Sequence, residues 1–221
     1  MKVFILANGD PPSPALARRL AAEHDLVFAA DGAAHRAVEL GIRPDIVCGD
    51  FDSARIEVAQ RDFPDAEFVR TPDQNRADLE KAILLARERG ATSITVAGAG
   101  GGRIDHHLGN LALLLRYGSE IQIQIVDDRS ETFGVSGSDS QPGEKRLAVQ
   151  PGDTISVIAV DARTHVTLTG VQWELLNAHV PIGTYGVSNV ATGPEVILEV
   201  RGAAFLCRLY HEALDSPPTS Q

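Results

Sequence analysis

Two aspartates, Asp50 and Asp52, are separated by a single residue in the hexapeptide CGDFDS at positions 48–53. The apolar run that ends at Cys48 is typical of a buried strand, so the acids follow the point where that strand stops. Carboxylates this close repel each other and either take up protons or bind a cation. Oxygen ligands without His or Cys partners favour Mg2+, which keeps part of its water shell and shares its coordination with substrate phosphates.

Further acids are predicted at the same edge of a parallel sheet. Asp10 follows the first apolar run and Asp31 the second, and Asp73, Gln74 and Asp78 follow the fourth. In an open parallel sheet, ligands bind beyond the carboxyl ends of the strands. We therefore expect a metal site built from these strand ends.

Helix capping is the alternative explanation for each acid taken singly. Asp31, Ser53 and Asp105 could each be an N-cap, and Asn75 with Asp78 resembles a capping box. One helix start needs one cap, however, and the surplus of acids around Asp50 favours a bound cation.

The stretch GAGGGR at positions 98–103 could hold an anion. Glycines let the backbone approach a phosphate closely, and the planar guanidinium of Arg103 donates to phosphate oxygens. A plain glycine turn is the alternative, because the stretch matches neither G-x-G-x-x-G nor a P-loop. Metal-binding carboxylates beside a phosphate-binding loop, with no Ser-His-Asp or Cys-His arrangement in view, point to phosphoryl-type transfer.

Two different patterns of apolar residues predict the structural elements that position these residues. Up to about Asp128, short apolar runs alternate with segments of helical period, which predicts an N-terminal parallel sheet flanked by helices, a Rossmann-like α/β arrangement. After Asp128, strand alternation broken by Gly, Pro and Ser predicts a smaller C-terminal antiparallel β-sandwich. We expect an α/β domain over 1–130, a linker in 134–144 and a β domain over 140–213.

Several side chains have predicted places in this core. We expect Leu79, Ala82 or Ile83, and Ala86 on the buried face of one helix, and Leu108, Leu111 and Leu115 on that of the next. Trp173 is predicted to lie in the core of the β domain. Cys48 and Cys207 match no zinc or redox spacing and are predicted to be buried thiols.

Composition excludes some partners. Thirty acidic against twenty basic residues give a formal charge of -10, with no Lys/Arg cluster, so nucleic acid is not an expected partner. The apolar run Val3 to Ala7 is too short for a signal peptide, and no later run is long enough to span a bilayer. We expect a cytoplasmic protein without a membrane partner.

Four motifs in order resemble the thiamine pyrophosphokinase family. They are DGA at Asp31, GDFDS, DQNRAD followed by LEKA, and GGRIDH, and they match that family in spacing from Asn8 to about Leu115. In the second half GVQWEL and GVSN are similar to the family's C-terminal β domain. The resemblance implies transfer of the diphosphoryl group of ATP to thiamine, giving thiamine diphosphate and AMP.

The resemblance also implies roles for individual residues. Asp50, Asp52 and Asp78 would hold Mg2+ and the phosphates, with Asp31 and Gln74 near the reacting groups. The ATP-binding residues would be Asn8, Gly9, Gly101, Gly102, Arg103 and Asp105. Ser188 and Asn189 would line a thiamine pocket in the β domain. A homodimer is implied, with each site between the α/β domain of one subunit and the β domain of the other.

This chain departs from the family pattern at a few positions. Ala77 stands where Thr is frequent, Asn75 where Asp is frequent, and Val190 to Thr192 offer no aromatic ring for stacking. Two alternatives stay open on these grounds. One is a diphosphokinase for another heterocyclic alcohol such as a hydroxymethylpterin, and the other is a non-catalytic sensor of thiamine or nucleotide.

Overall fold

The computed structural model describes residues 1–51 and 53–211, so Asp52 lies outside the described residues. The chain divides into two compact units. The first comprises Met1–Asn110 and Ile121–Asp128, and the second comprises Leu111–Glu120 and the residues from Arg129 onward. None of the helices in these described ranges is long and apolar enough to cross a membrane.

The first unit alternates strands and helices. Its strands are β1 (Lys2–Leu6), β2 (Leu26–Ala30), β3 (Ile46–Gly49), β4 (Glu67–Arg70), β5 (Ser93–Ala97) and β6 (Gln122–Val126). Its helices are α1 (Pro14–Glu23), α2 (Ala34–Leu40), α3 (Ser53–Asp62), α4 (Asp78–Glu88) and the start of α5 (Ile104–Tyr117), with a short 3-10 helix over Asp31–Ala33. All six strands pair in parallel in the order β4-β3-β2-β1-β5-β6.

Continuous apolar runs explain why this sheet is buried. In β1 the residues from Val3 to Leu6 are all fully buried, and Ile5 pairs with Phe28 of β2 on one side and Val96 of β5 on the other. Strands hidden on both faces carry no polar alternation. Helix α4 packs against β1, β2 and β3. Its predicted apolar face is confirmed, because Leu79, Ala82, Ile83 and Ala86 are all buried.

The second unit is an antiparallel β structure. Its strands are β7 (Ser130–Gly137), β8 (Gly143–Ala148), β9 (Thr154–Ala159), β10 (His165–Thr169), β11 (Leu175–His179), β12 (Gly186–Val190) and β13 (Glu195–Leu209). The first half of β13 pairs with β8 and β10, and its second half pairs with β7 and β9. Gly202, at φ +100°, lies between these halves. The predicted fold class, a helix-flanked parallel sheet followed by a β-rich C-terminal region, is confirmed.

Two predictions about local structure are wrong. The linker expected over 134–144 is largely strand, because Gly134 to Gly137 belong to β7 and pair with β13. In α5 the expected apolar stripe is not the most buried one. Leu108 is exposed and Leu111 and Leu115 are half-buried, whereas Leu113 and Leu114 are buried. Leucines crowd this helix so densely that the sequence offers two overlapping stripes.

Trp173 is also placed differently from the prediction. It lies between an isolated bridge at Val171 and the start of β11, so it belongs to no strand, and its side chain is 58% exposed. Strand alternation therefore does not apply to it. The described apolar core of this unit is formed by strand residues instead, such as Ile155, Leu168 and Leu198.

Candidate active site

The predicted acids follow the strand ends of the first unit. Asp31 comes directly after β2, Asp50 directly after β3, and Asp78 is the first residue of α4. Because parallel strands end at one edge of their sheet, Asp31 and Asp50 lie at the same edge. Asp52, which is also predicted at this edge, lies outside the described residues, and so does the side chain of Ser53.

The backbone is strained where β2 and β3 end. Asp31 has φ +20° and Phe51 has φ +45°, values that residues other than glycine rarely adopt. Phe51 is buried and packs on Phe68, with ring centroids 6.1 Å apart. Phe51 is therefore a buried aromatic residue held in a left-handed conformation directly after Asp50. Strain of this kind occurs where a structure must hold particular groups in place.

Asp78 forms an ion pair with a buried lysine that sequence reasoning missed. Lys81 Nζ donates to Asp78 Oδ1 at 3.0 Å, and the Lys81 side chain is 7% exposed while that of Asp78 is 46% exposed. The spacing i, i+3 on a helix brings the two together. The sequence signal was available, because a lysine within the apolar face of α4 needs an acid beside it.

The buried thiol of Cys48 shows which charges surround the end of β3. Burial raises the pKa of the Cys48 thiol to about 12, the negative charges of Asp78 and Asp31 contribute to the rise, and Lys81 opposes it. Two of the predicted acids and the lysine therefore act on one atom. Cys48 is a buried thiol as predicted, whereas Cys207 is half-buried.

Capping does not explain Asp31 or Asp78. The N-cap of the 3-10 helix is Ala30 and that of α4 is Ala77, and neither supplies a side-chain hydrogen bond. Asp78 lies inside the first turn of α4, so the predicted capping box with Asn75 does not form. Helix capping is therefore not the reason for either carboxylate.

Asp73 and Gln74 are held by local contacts. The backbone N–H of Asn75 donates to Asp73 at 2.8 Å, and Arg76 forms an ion pair with the same carboxylate. The Asn75 hydrogen bond, followed by Arg76, lowers the pKa of the Asp73 carboxyl. The Gln74 amide donates to the carbonyl of Pro72 at 3.5 Å, and the Gln74 side chain is exposed.

The predicted phosphate loop packs against the loop that follows β1. Gly9 N–H donates to Gly98 O at 2.7 Å, and Asp10 N–H donates to Gly100 O at 2.8 Å. A Cβ on Gly101, which has φ +79°, would overlap the Asp10 carboxylate. The left-handed backbone conformation of Gly101 therefore favours glycine here, whether or not the loop also binds phosphate. Sequence reasoning did not assign Asp10 this role.

Two further side chains support these loops, and neither was predicted. Asn110 of α5 donates from Nδ2 to Ala99 O at 2.8 Å, which fixes the middle of the glycine stretch. Arg36 donates from Nε to Asn8 Oδ1 at 3.3 Å. Asn8 is itself exposed beyond the end of β1.

Arg103 and Asp105 form an exposed ion pair after the glycine stretch. Arg103 Nε lies 3.1 Å from Asp105 Oδ1, and Nη2 lies 2.5 Å from Oδ2. The hydrogen bond from Arg103 lowers the pKa of the Asp105 carboxyl to about 2. Asp105 is the second residue of α5 and so lies inside the helix, not at the N-cap position considered for it. Both side chains are open to solvent, so an anion can reach the guanidinium.

A pocket of about 400 Å³ opens beside the strand ends of the first unit. Its lining includes the polar residues Asn8, Asp31 and Asp62 and the apolar residues Val47, Phe51, Val58 and Ala59. Pockets of this size, apolar with a few polar groups, suit small organic ligands. The pocket brings predicted residues of two strand ends, Asn8 and Asp31, to one cavity.

The two predicted thiamine residues adjoin each other in β12 but differ in exposure. Ser188 is exposed and has φ +62°, and its N–H donates to Ser156 Oγ at 3.0 Å. Asn189 is buried, and its amide both donates to Trp173 O at 2.7 Å and accepts from Trp173 N–H at 3.1 Å. The Asn189 side chain therefore fixes the exposed Trp173 loop.

The donor set of the first unit fits a hard cation. Within residues 1–51 and 53–211, no three His, Cys, Asp or Glu side chains are already grouped as metal ligands. Asp50 and Asp78, the two predicted ligands within these ranges, supply oxygen donors only, the kind that Mg2+ takes together with water and substrate oxygens. The residues present therefore fit an Mg2+ ion whose coordination is completed by a phosphorylated ligand better than a metal bound by protein ligands alone.

Comparison with known proteins identifies the family. Residues 17–126 match the family model described as thiamin pyrophosphokinase, catalytic domain, and residues 144–202 match that described as thiamin pyrophosphokinase, vitamin B1 binding domain. The thiamine pyrophosphokinase of Bacillus subtilis (strain 168) is 30% identical over 174 residues, covering 76% of this chain and 78% of the relative. The chain belongs to the thiamine pyrophosphokinase family. The family predicted from the motifs, and with it the prediction of an enzyme, is confirmed.

Other members of the thiamine pyrophosphokinase family agree in sequence and fold. Thiamin pyrophosphokinase 1 of Caenorhabditis elegans is 29% identical over 164 residues, and the match covers 71% of this chain and 66% of the relative. The crystal structure of thiamine pyrophosphokinase from Bacillus subtilis superposes with a TM-score of 0.79 at 26% identity, covering 95% of this chain and 99% of that chain. The family match does not favour the two alternatives, a pterin diphosphokinase or a sensor.

Proposed function

We propose that this chain transfers the diphosphoryl group of ATP to thiamine, giving thiamine diphosphate and AMP. This is the reaction after which the family is named. The structural observation that supports it is the set of charges at the end of β3, where Asp31 and Asp78 both act on Cys48 two residues before Asp50. Carboxylates at the carboxyl ends of the strands can bind the magnesium ion of a magnesium-bound triphosphate.

In this proposal Asp50, Asp52 and Asp78 would hold Mg2+. The bound ion would neutralise charge on the phosphate oxygens as the reaction proceeds. Asp31 and Gln74 lie near the reacting groups. The hydroxyl oxygen of thiamine attacks the β-phosphorus of ATP, the bond from that phosphorus to the α–β bridging oxygen breaks, and AMP leaves. A carboxylate of this set accepts the hydroxyl proton.

The nucleotide binds at the loops after β1 and β5. Arg103 stabilises charge on the departing AMP, and Asp105 holds Arg103 by the ion pair until the nucleotide arrives. The other residues of the two loops proposed to contact the nucleotide are Asn8, Gly9, Gly101 and Gly102. Gly102 has φ +61°, which favours glycine, and a Cβ there would meet open space, so its backbone is open to an approaching anion.

Thiamine binds the β region in this proposal, with residues 1–130 as the Mg-ATP domain and 140–213 as the thiamine domain. The match of 144–202 to a vitamin B1 binding domain supports it. Ser188 supports it as well, because an exposed serine held at φ +62° presents its hydroxyl at a cost in backbone strain. Asn189 contributes by holding the neighbouring Trp173 loop in place.

We propose that the chain acts as a cytoplasmic homodimer whose sites each combine two subunits. Exposed large apolar side chains in the second unit support a partner surface there: Trp173, Leu176, Ile182 and Tyr185 are each at least 58% exposed. A monomer rarely leaves so many large apolar groups open to water in one short stretch of chain.

One assay tests the proposed reaction. Purified protein is incubated with ATP and Mg2+, with or without thiamine, and AMP and thiamine diphosphate are separated by chromatography. We expect AMP and thiamine diphosphate in equal amounts, only when thiamine and Mg2+ are both present. The variant Asp78→Asn should lose turnover, whereas Asp139→Asn, which changes a charge in the β7–β8 turn, should not. ADP as product, or AMP released without thiamine, would contradict the proposal.

A further inference from the structure

Lys81 occupies a place that helix stability does not explain. It lies in the first turn of α4, and its side chain is 7% exposed. Burial of an ammonium is costly, and a positive charge near a helix N-terminus opposes the helix dipole. An apolar residue would satisfy the packing of this face, as Leu79, Ala82 and Ile83 do around it. The lysine must therefore be stabilised by negative charge.

The negative charge comes from the candidate active site. Lys81 Nζ contacts Asp78 Oδ1 at 3.0 Å, and the partner carboxylate is 46% exposed. The ammonium is thus buried and its partner carboxylate is partly exposed. In an ordinary surface ion pair, by contrast, both groups are exposed to solvent. Asp31, Asp78 and Lys81 also all act on the Cys48 thiol, so the ammonium and two of the acids lie near the same atom of β3.

We propose that Lys81 is an internal counter-ion for the active-site carboxylates, a positioning residue that acts through Asp78. Its positive charge weakens the attraction of the empty site for a bare divalent cation and strengthens it for a nucleotide, which is an anion. The metal is therefore taken up together with ATP. This inference rests on the function proposed above.

Replacing Lys81 by methionine separates this role from simple packing, because methionine keeps most of the side-chain length and removes the charge. We expect nucleotide-free Lys81→Met to bind Mn2+, used as the probe for Mg2+, about tenfold or more tightly than the unaltered protein, by calorimetry. The KM for Mg-ATP should rise about tenfold. Lys81→Arg keeps the charge and should keep the weak Mn2+ affinity. Lys145→Met removes the lysine that lies over Phe133 in the second unit and should change neither value.

Folding of the variant is followed in the same experiment. If Lys81→Met unfolds in metal-free buffer, Mn2+ should raise its melting temperature far more than that of the unaltered protein, and failure of Mn2+ to restore folding would overturn the inference. Unchanged or weaker Mn2+ binding would overturn it as well. In either case, AMP release by the unaltered protein would still support the proposed reaction. The role of Lys81 and the proposed reaction are therefore tested independently.

Discussion

Gly49 and Asp31 lie in contact across the ends of β3 and β2. A Cβ on Gly49 would come within 2.7 Å of Asp31 Cβ and 2.9 Å of its carboxyl carbon. The absence of a side chain at position 49 therefore leaves room for Asp31 at this place. Asp31 is held there at the strained φ of +20°.

Gly49→Ala should disable the site without unfolding the chain. The new methyl group displaces Asp31, and a shift of about 1 Å in a reacting group costs on the order of 100-fold in rate. We expect kcat to fall by about that factor, measured by AMP release. Gly109→Ala in α5 is the control, because a Cβ there meets open space and alanine favours a helix by up to about 1 kcal/mol. Unchanged kcat in Gly49→Ala would mean that Asp31 takes no part.

Asp52→Asn should abolish turnover while leaving metal-free stability equal or higher. The sequence places Asp52 two positions after Asp50, so removing its charge relieves repulsion between unliganded carboxylates. Stability is measured by urea unfolding in the presence of a chelator, and turnover by AMP release. A variant with near-normal activity would show that Asp52 only caps a helix.

Ser188→Gly should stabilise the protein and weaken thiamine binding. Glycine adopts φ +62° without strain, which is worth about 1 kcal/mol of stability, but it lacks the hydroxyl. Ser188→Ala also lacks the hydroxyl and retains the strain. We expect both variants to raise the KM for thiamine, and Ser188→Gly alone to raise the melting temperature. If neither changes that KM, Ser188 does not contact thiamine.

Neither cysteine should react with a thiol reagent in the native protein. Burial, with Asp78 and Asp31 beside it, raises the pKa of Cys48 to about 12, and burial also raises the pKa of Cys207. Since the thiolate is the reactive form, both remain protonated at pH 8. An aromatic disulfide reagent should titrate both thiols in denaturant and, within minutes, less than about 0.1 thiol per chain without it. Rapid reaction of Cys48 would show that the end of β3 is open.

The buried ion pair between Asp153 and Arg208 should make the β region sensitive to acid. Arg208 Nε lies 2.7 Å from Asp153 Oδ2, and both side chains are largely buried. Burial alone would raise the pKa of the Asp153 carboxyl, but hydrogen bonds from Gln150 and His211 and the contact with Arg208 lower it. A lowered pKa stabilises the fold above the ordinary pKa of an aspartate, and this contribution is lost as pH falls below about 4.

Asp153→Asn should therefore destabilise the protein at pH 7 by about 3 kcal/mol and flatten the pH dependence of stability between about pH 5 and 3. The measurement is urea unfolding across that range. Glu144→Gln, which breaks the exposed pair with Arg146, should cost less than about 0.5 kcal/mol. Equal losses in the two variants would contradict the assignment of the stabilising charge to Asp153.

The sequence was informative where a single physical pattern dominated. The fully buried strands of the parallel sheet and the apolar face of α4 follow from uninterrupted or helix-spaced apolar residues. The placement of Asp31 and Asp50 follows from the rule that parallel strands end at one edge. These features depend on local sequence and a general rule of topology, and so they could be predicted.

Features that depend on partners distant in sequence could not be predicted. The segment 134–144 has the polar, glycine-containing composition of a linker, but its pairing with the distant strand β13 makes it largely strand. Asn189 belongs to the GVSN motif, which resembles the family's β domain, yet its hydrogen bonds to the Trp173 backbone appear only in the folded structure. Lys81 was hidden for another reason, since a helix-spacing argument that follows apolar residues passes over a charged residue on the buried face.

The long strand β13 sets an order for assembly during synthesis. It is the partner of β7, β8, β9 and β10, four strands that precede it in the chain. Until Glu195–Leu209 has left the ribosome, those strands have no β13 edge to join, and exposed strand edges invite pairing with other chains. The helix-flanked sheet has all six of its strands by Val126 and does not wait in this way. A nascent chain that stalls before residue 195 is thus the form of this protein most exposed to aggregation.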